Sequence, residues 1–238
     1  MNLIIIGYLT LAIGGCAQLA DLSKNVDLSE TSEKIKPLSQ EEIVLGLKEA
    51  LKVSLDKSVK KISIADGFWK NDLIKLPFPE EAIEVKKRLS SLGMGKEVLN
   101  FEKNLNRAAE KASGKSMEIF LSAITQLTFD DVMKIYKGDK DAATNFLKDK
   151  TSEKLYAEFK PVAKKVIDEV DVTKYWKPVI SNYNKIPFVE NYNPDLDDYV
   201  TKKTIQGLFS MISLEEAKIR KDPKARITDL LERVFGQL

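Results

Sequence analysis

The chain has 238 residues and a formal net charge of +2, with Lys and Arg nearly balanced by Asp and Glu. That balance excludes the one-signed basic stripe of a dedicated nucleic-acid binder. Histidine is absent and Cys16 is the only cysteine, which removes the usual general base near neutral pH, the commonest zinc ligand and any internal disulfide.

Leu3 to Ile13 is an apolar run broken only by Gly7, Tyr8 and Thr10, and Gly14, Gly15 and Cys16 follow it. The run suits a signal-peptide core and is shorter than the ~20 apolar residues that cross a bilayer. Ile13-Gly14-Gly15-Cys16 resembles the lipobox of a bacterial lipoprotein: an aliphatic residue, two small residues, and the cysteine that receives lipid. The pattern departs from the usual one in having no Lys or Arg before the apolar run. Residues 1–15 are expected to be a signal peptide, and Cys16 the lipid attachment site and the link to a membrane. Residues 16–38 carry Ser, Asp, Lys and Glu without a sustained period and read as a lipidated, flexible tether. Residues 39–238 are expected to form one helical domain. Ala17, rather than Asp, follows the cysteine, which favours the outer membrane, with the domain facing the periplasm.

Ser39 and Glu42 form a capping box, and Ile43, Leu47, Ala50, Leu51, Leu55 and Val59 recur at helical spacing. Asp66-Gly67 ends that region. An apolar connector, residues 68–79, follows. Pro79 suits the first position of a helix through Leu92, and Gly93 suits its stop. The next helix, about 96–113, presents Val98, Phe101, Leu105, Ala108, Ala109 and Ala112. Met117–Leu127 continues the pattern, and Thr128 with Asp131 caps a short helix ending at Gly138. Asp139 is read as opening another helix. Thr151 or Ser152 is read as capping the next, which Pro161 should kink or split. Residues 173–184, with Tyr175 and Trp176, read as a helix and 185–194 as a loop. A long helix spans about Leu196–Lys221. Pro223 ends it, and a final helix carries Ile227, Leu230, Leu231, Val234 and Phe235. The fold class is all-α, a single domain of roughly eight to ten helices.

Leu76-Pro77-Phe78-Pro79, Asn106-Arg107-Ala108-Ala109-Glu110, Asp198-Tyr199-Val200-Thr201, Gly207-Leu208-Phe209, Glu215-Glu216 with Ile219-Arg220, and Val234-Phe235-Gly236 together resemble an uncharacterised bacterial family, the domain of unknown function 4197. The resemblance runs from about residue 41 to the C-terminus. It implies an exported, helical, envelope-associated protein and brings no activity, substrate or catalytic residue.

Motifs that carry chemistry are weak. Gly93-Met94-Gly95 lacks the third glycine of a dinucleotide loop and reads as a helix stop. Asn191, Asn193, Asp195 and Asp197 alternate like calcium ligands, but the glycine and closing Glu of that loop are missing, so Asx-turns before a helix explain them better. The lysine pairs at 60–61, 86–87 and 164–165 lie among Glu and Asp and read as solvated faces, with anionic headgroups as a second reading. No catalytic residue, metal site or cofactor is expected.

The charged candidates are Glu215, Arg107 and Arg226. Glu215 lies four residues after Met211 and four before Ile219, inside the apolar stripe of its helix, while Glu216 points away. A buried carboxylate costs several kcal/mol unless paired. Glu215 is therefore expected to reach a cation, foremost Arg107 or Arg226, or a backbone or hydroxyl donor, or else to face a ligand in a cavity. Arg107 lies opposite its helix's apolar face, either in solvent or lining a groove. The leading functional expectation is an envelope-anchored, non-enzymatic binding or scaffolding module for a lipid, another hydrophobic small molecule or an envelope protein. The alternative is a carboxylate-dependent cell-wall glycan hydrolase, which needs two carboxylates roughly 5–10 Å apart.

Overall fold

The computed structural model describes residues 37–169 and 195–237, together with Ser181, Asn184 and Lys185. Cys16, the tether, and the helix expected around Tyr175 and Trp176 lie outside the described residues. Leu38–Leu238 is one compact unit. Its helices are α1 (Gln40–Ile62), α2 (Ile83–Ser91), α3 (Gly95–Ser113), α4 (Ser116–Thr125), α5 (Phe129–Tyr136), α6 (Ala142–Asp168), α7 (Leu196–Lys221) and the short α8 (Asp229–Phe235). No strand occurs among the described residues. The class is all-α, as expected. Seven of these helices have eight residues or more, slightly fewer than the expected eight to ten.

Local chemistry sets most of the boundaries. The Ser39 hydroxyl accepts from Glu42 N–H, and the Glu42 carboxylate accepts from Ser39 N–H. Thr128 and Asp131 repeat the arrangement at α5. Each such cap is worth about 1 kcal/mol. At the other end of α2, Gly93 has φ +84. The N–H of Gly93 reaches Ser90 O and the N–H of Met94 reaches Leu89 O. This Schellman closure satisfies two carbonyls that the helix leaves open. Pro79 precedes a 3-10 turn, Glu80–Ala82, so α2 itself begins later than the proline suggested.

Two expected helices are one. Thr151 and Ser152 lie inside α6, where their hydroxyls donate to the carbonyls four residues back, Leu147 O and Lys148 O. A hydroxyl used in that way caps nothing. Leu147, Leu155, Phe159 and Ala163 keep the buried face continuous, and the helix runs past Pro161. Ile227 is exposed and precedes α8, and Leu231, Val234 and Phe235 hold that helix to the core.

α7 is the central element. It packs most extensively on α6, then on α1 and α3. Its buried arc is wide and includes Val200, Thr204, Leu208, Phe209, Met211, Ile212 and Ile219. Gly207 lets the connector approach: a Cβ there would lie 2.9 Å from the Phe68 ring and 3.2 Å from Ile74 Cβ. Burying Phe68, Ile74, Leu76 and Phe78 turns residues 68–79 into part of the core. Each of those side chains contributes roughly 1.5–3 kcal/mol.

Candidate functional site

Glu216 projects from α7 onto the start of α6. Its Oε1 accepts from Ala143 N–H at 3.0 Å, and its Oε2 from Thr144 N–H at 2.8 Å and the Thr144 hydroxyl at 2.7 Å. Asp141, at the cap position of α6, makes no side-chain cap bond. The capping carboxylate therefore comes from another helix, placed where the helix dipole favours negative charge. Arg220, one turn on, donates Nε–H to Glu216 Oε1 at 3.0 Å. Its terminal nitrogens donate to Ile135 O and Tyr136 O at the end of α5, where Ile135 O also accepts from Gly138 N–H. Both side chains are over 90 % buried.

A second polar junction holds the connector. Glu110 on α3 is 3 % exposed. Its Oε1 accepts from Phe68 N–H and Trp69 N–H, and its Oε2 accepts from Arg107 at 2.6 Å. Arg107 also donates to Asp66, a non-glycine residue at φ 69 in the turn after α1. The Glu110 carboxylate, and after it Asp66, pushes the Arg107 guanidinium above its usual pKa. Lys70, and after it Arg107, holds Asp66 below the usual carboxylate range. One helical turn before Glu110 on α3, fully buried Asn106 pairs with the backbone of Leu76: it accepts Leu76 N–H at 2.8 Å and donates to Leu76 O at 2.9 Å.

A third junction joins α6 to the start of α7. Tyr156 donates to Asp198 at 2.7 Å, and Lys160 pairs with Asp195 at 3.0 Å. Asp195 caps α7 by accepting Asp198 N–H, and that bond, followed by Lys160, keeps its pKa low. Burial pulls the Asp198 carboxyl upward, but the bonds from Lys202 and Tyr156 outweigh it and leave the pKa low.

Between α4, the start of α5 and α6 lies a cleft of about 200 Å³. Ile119, Ala123 and Phe146 supply apolar lining, and Gln126, Thr128, Asp131, Lys150, Thr151 and Lys154 are its polar members. Lys150 Nζ lies 5.7 Å from the Phe146 ring centre. Asp131 is occupied in its own cap, and the Thr128 hydroxyl, followed by Thr128 N–H, holds its carboxyl low. The two lysines are a turn apart and exposed. The cleft sets three apolar side chains beside two adjacent cations.

Glu215 does reach a cation, but neither of the two expected arginines. Glu215 pairs with Lys218 on its own helix at 2.6 Å, and the deeply bonded carboxylate is its neighbour Glu216. Both lie within the wide buried arc of α7, so helical phase does not rank them; the position of the α6 N-terminus does. Arg107 belongs to the connector junction. Arg226 donates to Ile219 O and Arg220 O and so caps the end of α7. Sequence reading missed Glu216, Glu110 and Asn106 as buried groups. The scarcity of arginine was the available signal: Arg107, Arg220 and Arg226 each bind a turn or a helix end.

This geometry defines an all-helical domain whose buried charges join helix termini and turns. The family model described as "Protein of unknown function (DUF4197)" matches residues 37–236. The chain belongs to that family. No curated protein and no solved structure matches it.

Proposed function

We propose that the protein is a lipid-anchored, non-enzymatic binding module of the bacterial cell envelope. It is held to the membrane through Cys16, faces the periplasm, and takes a small hydrophobic molecule with an anionic head in the α4–α6 cleft. The lipobox-like Ile13-Gly14-Gly15-Cys16 ahead of one compact domain supports the anchoring. The observation that carries the binding is the cleft, where Ile119, Ala123 and Phe146 adjoin Lys150 and Lys154. Apolar contact supplies affinity and polar groups supply orientation at small-molecule sites; here six of the nine lining residues are polar, two of them lysines. The deeply buried carboxylates, Glu110 and Glu216, have their oxygens taken up by backbone and side-chain donors. That occupation favours a structural role over general acid–base work.

Two measurements test the reading. Metabolic labelling with a palmitate analogue marks the wild type and leaves Cys16→Ser unmarked; equal labelling of both rejects the anchor. Mass spectrometry of the purified protein recovers an anionic amphiphile from the wild type and much less from Lys150→Glu/Lys154→Glu. Equal recovery from both removes the cleft as the binding site.

A further inference from the structure

The tip of the α2–α3 hairpin carries two of the exposed large apolar side chains of the described surface. Leu92, the C-terminal cap of α2, is 70 % exposed, and Leu99 on the second turn of α3 is 52 % exposed. The two belong to the same open end. Leu99, Glu102 and Asn106 follow one another at three- and four-residue spacing along α3. Glu102 bridges to Lys86 of α2 at 2.5 Å, and Asn106 holds Leu76. That stripe therefore faces α2 and the connector, and Leu99 is its last member toward the tip. Between the leucines, the Gly93 closure turns the chain tightly, with Met94 half-buried beneath.

Charge surrounds these leucines asymmetrically. Arg107, Arg220, Arg226 and Arg233 each bind a carboxylate or a helix-end carbonyl. Among the described residues the Arg88 guanidinium on α2 has no partner, and neither does the Lys96 ammonium in the first turn of α3. Lys87 is neutralised by Glu84. Glu97 is the acidic side chain of the first turn of α3. Counting Lys103, about two turns further along α3, the hairpin keeps an excess of positive charge near two exposed leucines.

We propose that this hairpin tip is a membrane-contact site that seats Leu92 and Leu99 among the acyl chains of an anionic phospholipid surface, with Arg88 and Lys96 on the headgroups. Exposed aliphatic residues ringed by unpaired cations are the combination that binds such a surface: apolar insertion and electrostatic attraction reinforce each other. Charge makes the occupant a bilayer: Arg88 and Lys96, unpaired among the described residues, complement an anionic lipid surface. The inference rests on the lipoprotein reading for its biological setting. From Cys16 to Leu38 the chain has 22 residue-to-residue steps, a contour of up to ~75 Å at ~3.4 Å each, so a lipid anchor does not fix which face of the domain meets the membrane.

The test removes the lipid anchor so that the two readings fail separately. In the chain from residue 16 onward, without the apolar run of residues 1–15 and carrying Cys16→Ser and Leu92→Cys, the new thiol is the only one and takes an environment-sensitive fluorophore. Vesicles of phosphatidylcholine with phosphatidylglycerol are expected to blue-shift and brighten its emission, and pure phosphatidylcholine vesicles to do so far less. The same label at Lys137→Cys is the control, because α5 packs on α1 and α6, away from the hairpin. Adding Arg88→Glu and Lys96→Glu is expected to raise the lipid concentration needed for half the change by about tenfold or more, since each cation near an anionic surface contributes substantially. No change at position 92, an equal change at position 137, or indifference to the charge reversals overturns the proposal. The palmitate result at Cys16 bears only on the anchor.

Discussion

Glu216 and Arg220, one turn apart on α7, join the N-terminus of α6 to the C-terminus of α5. Each charge sits at the helix end whose dipole it complements, and each also bonds backbone groups at that end. The pair is buried, so its two members depend on each other. Glu216→Ala is expected to cost about 3–5 kcal/mol, because it strands Arg220 and uncaps α6. Glu215→Ala, one residue away, breaks a pair whose lysine is exposed and so strands no buried cation, and it is expected to cost about 1 kcal/mol or less. Urea denaturation of the two variants measures the contrast, and equal losses refute the assignment.

At the connector, Glu110→Gln keeps the side chain's shape and removes its charge. It is expected to destabilise by about 2 kcal/mol, the scale of hydrogen bonds to a charged group. Arg107→Ala alone leaves the Glu110 charge buried beside the Phe68 and Trp69 amides. A double-mutant cycle is expected to give a coupling energy of about 1–3 kcal/mol. Additive losses would mean that the arginine and the glutamate act separately.

Gly207→Ala sets two effects against each other. Alanine improves helix propensity by about 1 kcal/mol. Its Cβ, however, would meet the Phe68 ring at 2.9 Å, and that ring has no exposure and no free space to move into. Overpacking at such a site costs about 1–3 kcal/mol, so the expected result is a lowered Tm. A Phe68→Leu background removes the opposing ring atom and should make Gly207→Ala neutral or favourable. A raised Tm in the wild-type background would show that the connector yields.

Burial pushes the Tyr136 phenol above its ordinary pKa, and its hydroxyl donates to Val234 O at 3.0 Å. A raised folded-state pKa means that the native state holds the proton more tightly than the unfolded chain does. The resulting stability is full below the unfolded value of about 10 and is lost as pH rises through the higher folded value. Tyr136→Phe is expected to lose about 1 kcal/mol at neutral pH with the hydrogen bond. The gap to wild type should narrow above about pH 10. Denaturation curves at neutral and alkaline pH test it; a constant gap refutes the linkage.

Much of the architecture was legible locally. Ser39 with Glu42, Thr128 with Asp131, Gly93 and the bounds of α7 were readable because a cap or a left-handed glycine acts over a few residues. The apolar face of α3 was readable because Val98, Phe101, Leu105 and Ala112 repeat at the helical period. The class and the single helical domain followed from those periods. Lipid attachment at Cys16 is likewise a reading of local pattern.

What the tertiary structure decided was the fate of groups whose choices are degenerate within one helix. Thr151 caps a helix or bonds back within one, and the packing of α6 along its whole length selects the second. Glu215 and Glu216 both lie within the buried arc of α7, and only the location of α6 says which carboxylate finds three donors there. Asn106, Glu110 and Arg107 look like an ordinary polar face until the connector lies across them. Periodicity reports how one helix divides apolar from polar; it carries no information about which helix terminus or turn arrives to satisfy a buried charge, because those partners lie 30 to 85 residues away in the chain.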